Sequence, residues 1–352
     1  MLQQLPIAAT AEVWLCDALN TALENGFACI QANLPIPPWL DFIPEQHHAV
    51  MARRGKLADA IEAVFAAYQA LPPDGQADVR NALEDQQELD ELFSGFRAAR
   101  PLHDLPETMH APLKEYASRV FDVLNDTLIR DRAYEVYDQH GFLACPFCGY
   151  EAFDSSRLRQ MDWDHYLARS LYPFAGADLR NFSPMGDGCN ARYKRSKDVL
   201  RSNGGVRRPC FDPYHSAPAT ISLTRSQLFT RGEGSEMPEW QIDLIGDDDR
   251  CASWDSIFEV RARWLDRLDR IYDKCLSGFR EVHRGHDIPD DALAGRLAQL
   301  AAAEHHPPPE TGAMLRAAVY TLRSGRAGED TDEGARLRRL LRTTIATNPL
   351  PT

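Results

Sequence analysis

The sequence predicts an α+β protein, mostly helical, with a small irregular module at its centre. Three observations predict it. Apolar residues recur at helical spacing through residues 1–140 and again through 251–352. Between 141 and 215 that periodicity gives way to Cys, His, Asn, Arg and turn formers. Two short β-prone runs then occupy 216–250, split by a Gly-rich stretch that reads as a hairpin. Four regions follow: a helical N-terminal domain (1–140), a central module (141–215), a short β segment (216–250) and a helical C-terminal region (251–352).

The helical stripes justify the first region. Residues 57–71 place Leu57, Ile61, Val64, Phe65 and Tyr68 on one face, and LPPDG (71–75) breaks the pattern. Residues 78–93 continue with Val79, Leu83, Leu89 and Leu92, beside an acidic face that reads as solvated. A third pattern covers 112–139. After the β segment, residues 254–279 carry Ile257, Val260, Trp264, Leu268 and Ile271 on one face. His305-His306 and the prolines after them break the chain before a helix at 311–322, and the charged tail is expected to fray. These stripes are read as core packing, and no site is assigned to them. His47 and His48 are read as surface residues, and Cys16, Cys29, Cys251 and Cys275 as buried thiols.

Composition bounds the function. The 352 residues are 44% apolar and 26% charged, enough for a real core. No apolar run reaches the roughly 18 residues of a membrane span, and the first residues lack a signal-peptide pattern, so a cytoplasmic protein without membrane partners is expected. The net charge of -13 argues against a generally sticky nucleic-acid binder, but it is unevenly spread. Residues 1–140 hold 10 basic and 22 acidic side chains, whereas residues 141–210 hold 11 basic and 7 acidic. A basic island in an acidic chain suits a polyanionic substrate.

The island also carries the chemistry. In order it contains Cys145-x-x-Cys148, Asp164-His165, Asn181, Cys189-Asn190 and then Arg192, Lys194, Arg195 and Lys197. A carboxylate and an amide oxygen are hard ligands suited to Mg²⁺ or Mn²⁺. A neighbouring histidine, neutral near pH 7, can take a proton from water. Asp164 and His165 are adjacent, so a shared site requires a bend or bulge if they lie on a strand. Asp162, two before Asp164, is read as a hydrogen-bonding support. The segment from Asn190 is placed as a helix crossing a hairpin, so that strand, strand and helix surround one cation.

With these residues in place, the stretch resembles the HNH endonucleases, the ββα-metal nucleases. Their CxxC, DHxxPxS and NLxPLCxxCNxxK texts correspond here to CPFC, DHYLARS, NFSPMGDGCN and YKRSK, over about 75 residues, with a softer echo in FDPYH (211–215). The resemblance implies a DNA-cleaving enzyme with His165 as general base and Mg²⁺ held by Asp164 and Asn190. Asn181 fixes the loop between the strands, and Arg192, Lys194, Arg195 and Lys197 contact the phosphate backbone. It further implies a structural Zn²⁺ on four cysteines, of which three stand in place: Cys145, Cys148 and Cys189. Gly186 occupies the fourth position, so Cys210 is the expected substitute, with Asp187 or His215 behind it. Ala168 stands for the usual Pro, and Lys194 lies four residues after Asn190 where three is commoner. Among bacterial members, extra helical domains suggest the effector of an antiphage defence system acting beside an ATPase or sensor protein. The other class of reading is a non-catalytic HNH-like nucleic-acid-binding or adaptor module, for which an acidic N-terminal region would serve a protein partner.

Overall fold

The computed structural model describes residues 1–125, 128–153, 163–230, 237–304 and 310–346. Asp162, His305, His306 and the last six residues of the tail lie outside the described residues, as does most of the expected hairpin turn. The fold is α+β and mostly helical.

Helices α1 (Trp14–Ala32), α2 (Gly55–Gln69), α3 (Pro73–Gln87), α4 (His110–Asn125) and α5 (Leu128–Gln139) build the N-terminal region. The predicted stripe on α2 is buried against α1 and α4, and Phe27 of α1 stacks on Tyr68 at 4.0 Å. Two boundaries differ from expectation. The Pro-Pro segment opens a helix: Pro73 sits in the first turn of α3, where a missing N–H costs nothing. The helix expected over 78–93 ends at Gln87 and restarts at Leu89, because Glu88 leaves the helical region with ψ near 64°.

Two antiparallel pairs supply the strands among the described residues. β1 (Trp163–His165) pairs with β2 (Phe182–Pro184), with Asp164 opposite Ser183 and His165 opposite Phe182. A seven-residue π-helical turn, Gly188–Lys194, follows β2 after three residues. β3 (Thr220–Ser222) pairs with β4 (Asp243–Ile245), the hairpin that the β-prone runs predicted.

The chain then returns to helix. The stripe expected as one helix over 254–279 is two, α6 (Asp248–Phe258) and α7 (Val260–His283), separated by Glu259 at φ 52°. Helices α8 (Asp290–Glu304) and α9 (Ala313–Gly328) pack as a pair. The tail does not fray where expected: α10 (Asp332–Ala346) buries Leu337, Leu341 and Ile345. Its charges occupy one face only, and the apolar stripe outweighs them. Among the described residues, no helix is long and apolar enough to cross a membrane.

One apolar cluster runs from Met1 to Ile345 and includes the central module. Leu2 and Leu5 donate backbone hydrogen bonds to Pro146 and Pro213, and the indoles of Trp254 and Trp264 donate to the carbonyls of Phe147 and Cys148. Helical regions on both sides therefore grip the small module, whose two three-residue strands could not bury a core alone.

Candidate active site

The geometry starts at Asn181, which is fully buried at the entrance to β2. Its Oδ1 accepts from Leu167 N at 2.6 Å, and its Nδ2 donates to the carbonyls of Leu167 and Ala175, both at 3.1 Å. One side chain thus ties both arms of the loop between the strands. Helix α3 fixes the same loop from outside, because Gln86 Oε1 accepts from Phe174 N at 2.9 Å. The next residue of the loop, Gly176, offers its carbonyl to His165 Nε2 at 3.1 Å. A carbonyl only accepts, so Nε2 carries the ring proton and Nδ1 holds the lone pair.

His165 is buried between the rings of Phe121 and Phe182, with centroids at 5.1 and 4.1 Å. Burial pulls its pKa down to about 3, and the positive charges of Arg169 and Lys194 lower it further against the Gly176 hydrogen bond. The imidazole is neutral at pH 7.

Asp164, His165 and Asn190 line one cavity of about 390 Å³, together with Phe121, Asn125, Arg130, Trp163 and Arg169. The bulge expected between Asp164 and His165 is absent. Both are in regular register, and the whole of β1 borders the cavity. Asn190 arrives from the π-helical turn, in which Arg195 N bonds Asn190 O at 2.8 Å. Closing the turn after five residues brings position 194 back under position 190. Lys194 therefore points inward and places Nζ 2.6 Å from Asp164 Oδ2. The donor set of one carboxylate and one amide fits a hard divalent cation that keeps most of its waters. Asp164 already shares one oxygen with an ammonium, so a metal there would compete with Lys194 or share the carboxylate with it.

Several predicted residues sit elsewhere than their expected roles require. Lys194 is 1% exposed and ion-paired, so it has no surface to offer a phosphate backbone. Lys197 donates to Ile257 O at 2.9 Å and faces Glu259 at 3.7 Å, which ties the turn to the C-terminal helices. Arg192 and Arg195 are exposed. Among the described residues, the cations that line the cavity are Arg130, at the start of α5, and Arg169, whose guanidinium lies 4.5 Å from the Phe121 ring. Arg169 was legible inside DHYLARS as the cation nearest the histidine. Arg130 lies far away in sequence, within an unremarkable helical stripe.

A second cluster lies at the CxxC turn. The sulfurs of Cys145, Cys148 and Cys189 lie within 4.8 Å of one another, and all three residues are buried. Each sulfur also receives a donor from outside the group: Gly186 N to Cys145 at 3.4 Å, Glu151 N to Cys148 at 3.5 Å and Arg263 Nη1 to Cys189 at 3.2 Å. The expected fourth ligand is absent from the group. Cys210 is buried beside Tyr166, its N–H committed to Phe93 O. Asp187 is exposed at the start of the π-helical turn, and His215 pairs with Asp212 at 3.0 Å. The other thiols are buried as expected except Cys29, which is half-buried, and His47 is no bare surface residue, since it stacks on Trp14 at 3.8 Å.

No family model, no curated protein and no solved structure matches this chain.

Proposed function

We propose that this protein is a metal-dependent endonuclease of the HNH type that hydrolyses phosphodiester bonds of DNA. The observation that carries the reading is the meeting of Asp164, His165 and Asn190, 26 positions apart in the chain, in one cavity that also holds Arg130 and Arg169. Asp164 and Asn190 would hold Mg²⁺ or Mn²⁺, which when bound stabilises charge on the phosphate and the leaving oxygen. His165 takes the proton of the attacking water at Nδ1, the nitrogen that Gly176 leaves free. Arg130 and Arg169 bind the phosphate. Its negative charge offsets the smaller part of the His165 shift, the part that Arg169 and Lys194 add to the effect of burial, and so raises the proton affinity of the ring as substrate binds. A structural Zn²⁺ on Cys145, Cys148 and Cys189 would fix the turn that faces the start of the π-helical turn.

The substrate path extends beyond the cavity. A neighbouring cleft of about 660 Å³ is lined by Arg53, Arg54, Lys56 and Arg119, with Asp59 and Asp122, and shares Asn125 with the catalytic cavity. Arg119 is paired with Glu115 and Asp122, so Arg53, Arg54 and Lys56 carry the positive charge of the cleft. This cleft and the two cavity arginines replace Lys194 and Lys197 as the contacts for the phosphate backbone.

The test is cleavage of plasmid by purified protein with Mg²⁺ or Mn²⁺. His165→Ala should lower the rate by about 10²–10⁴-fold, or abolish it, while the protein stays folded. Full activity in a folded His165→Ala protein overturns the assignment. One observation favours a second reading, a non-catalytic nucleic-acid-binding module. Lys194 already neutralises Asp164, which a binder tolerates and a metal enzyme must accommodate. DNA binding without cleavage under either metal selects that reading.

A further inference from the structure

The cysteine cluster lacks a fourth ligand where the sequence places Gly186, and the side chain nearest that place is Glu151, whose carboxylate lies outside the group of three sulfurs that stand within 4.8 Å of one another. A Cβ built on Gly186 would overlap the carboxylate of Glu151 and crowd the rest of its side chain. Glu151 stands where a side chain at 186 would stand. Its Oε1 lies 3.8 Å from Cys148 Sγ, and its Oε2 accepts from Gly188 N at 2.8 Å. The carboxylate is thus anchored between the CxxC turn and the turn carrying Cys189. We propose that Glu151 is the fourth ligand of a structural zinc ion on Cys145, Cys148 and Cys189, a Cys₃Glu site in which a carboxylate replaces the missing thiolate.

Charge supports the assignment. Three thiolates and a carboxylate around Zn²⁺ carry a net charge of two negatives in a buried place, and such a charge needs a partner. Arg263 supplies it. The residue is 7% exposed, and its guanidinium reaches Cys189 Sγ at 3.2 Å through Nη1 and Glu151 Oε1 at 2.5 Å through Nη2. A buried guanidinium that bridges a sulfur and a carboxylate is well placed if both are anionic. Zinc takes sulfur and carboxylate oxygen in closed four-coordinate sites, and partners that hydrogen-bond the ligands tune the affinity. The departure from four cysteines is therefore compensated inside the same turn, three residues after Cys148. Cys210, beside Tyr166 and outside the sulfur group, has no part in it.

The inference rests on the zinc reading above and is independent of cleavage. Full-length protein, purified without chelator, is assayed for zinc by elemental analysis and for coordination by X-ray absorption at the zinc edge. One zinc per chain with three sulfurs and one oxygen is expected. Glu151→Gln, which keeps the shape and one oxygen, should lose zinc to a competing chelator at least about tenfold more readily. Glu151→Cys should restore retention and read as four sulfurs, with circular dichroism verifying the fold of each variant. Four sulfurs in the unaltered protein, or undiminished retention in Glu151→Gln, overturns the role of Glu151 while leaving zinc in place. Protein that carries no zinc and takes up none when refolded with it overturns both.

Discussion

At the residue scale, the proposed function gives His165 the chemistry and Asn181 its placement. Burial holds the folded pKa of His165 near 3, whereas in the unfolded chain it titrates near 6.5. Between those values the unfolded chain binds a proton that the folded chain does not. The stability contributed by the neutral ring is fully present above about pH 6.5. It falls as pH drops toward 3, by up to about 1.4 kcal/mol per unit. Urea unfolding at pH 7 and pH 5 should show this slope, and His165→Phe should flatten it; parallel slopes would mean the ring is not held neutral. Asn181 titrates nothing but holds three backbone groups. Asn181→Leu leaves buried groups of Leu167 and Ala175 without partners, at about 1–3 kcal/mol for each. The same change frees the loop that carries Gly176, so it should reduce cleavage as well as the urea midpoint. A variant that is destabilised yet cleaves normally per folded molecule would separate Asn181 from the placement of His165.

At the element scale, the π-helical turn separates what residue spacing conveys from what it does not. The ladder of CxxC, Asp-His, Asn and Cys-Asn was legible because the chemistry-bearing side chains come in chain order within 46 residues. Residue spacing alone could not give the inward turn of Lys194. An α-helix four residues on would also stack 194 near 190, but only the contact with Asp164 decides that the lysine serves the carboxylate and not a phosphate. The same limit applies to Glu151. Its spacing after Cys148 was visible, but its overlap with the side-chain space of Gly186 is a three-dimensional fact. Boundaries failed for local reasons, since Glu88 and Glu259 interrupt apolar stripes that continue on either side. Lys194→Met keeps the buried stem and removes the ammonium. With its competitor gone, Asp164 should bind Mg²⁺ more tightly by titration calorimetry, and the dependence of binding on salt should not change. A loss of DNA affinity with unchanged Mg²⁺ binding would instead return Lys194 to the phosphate contacts.

At the scale of the whole molecule, the unequal charge distribution has a structural counterpart that composition conceals. The N-terminal region is acidic in sum, yet Arg53, Arg54, Lys56 and Arg119 line a cleft adjoining the cavity of Asp164, His165 and Asn190 at Asn125. Periodicity marked the helices but not which of their loops face the module, so this basic face was not legible. Aromatic Trp14 and His47 line a third cavity that also reaches Asn125, so three concave surfaces converge at the end of α4. If the cleft carries the DNA backbone, its cations act by releasing counterions, and each lost phosphate contact lowers the slope of log affinity against log salt by about 0.9. Arg53→Ala with Lys56→Ala should therefore reduce that slope by up to about 2 and weaken binding equally across sequences. Arg339→Ala, in a separate surface cavity with Phe229 and Arg336, is the control and should change neither. Fluorescence anisotropy across a salt series reads both quantities. A double variant with the slope of the unaltered protein would remove the cleft from the substrate path and return the phosphate contacts to Arg130 and Arg169 of the cavity and the exposed Arg192 and Arg195.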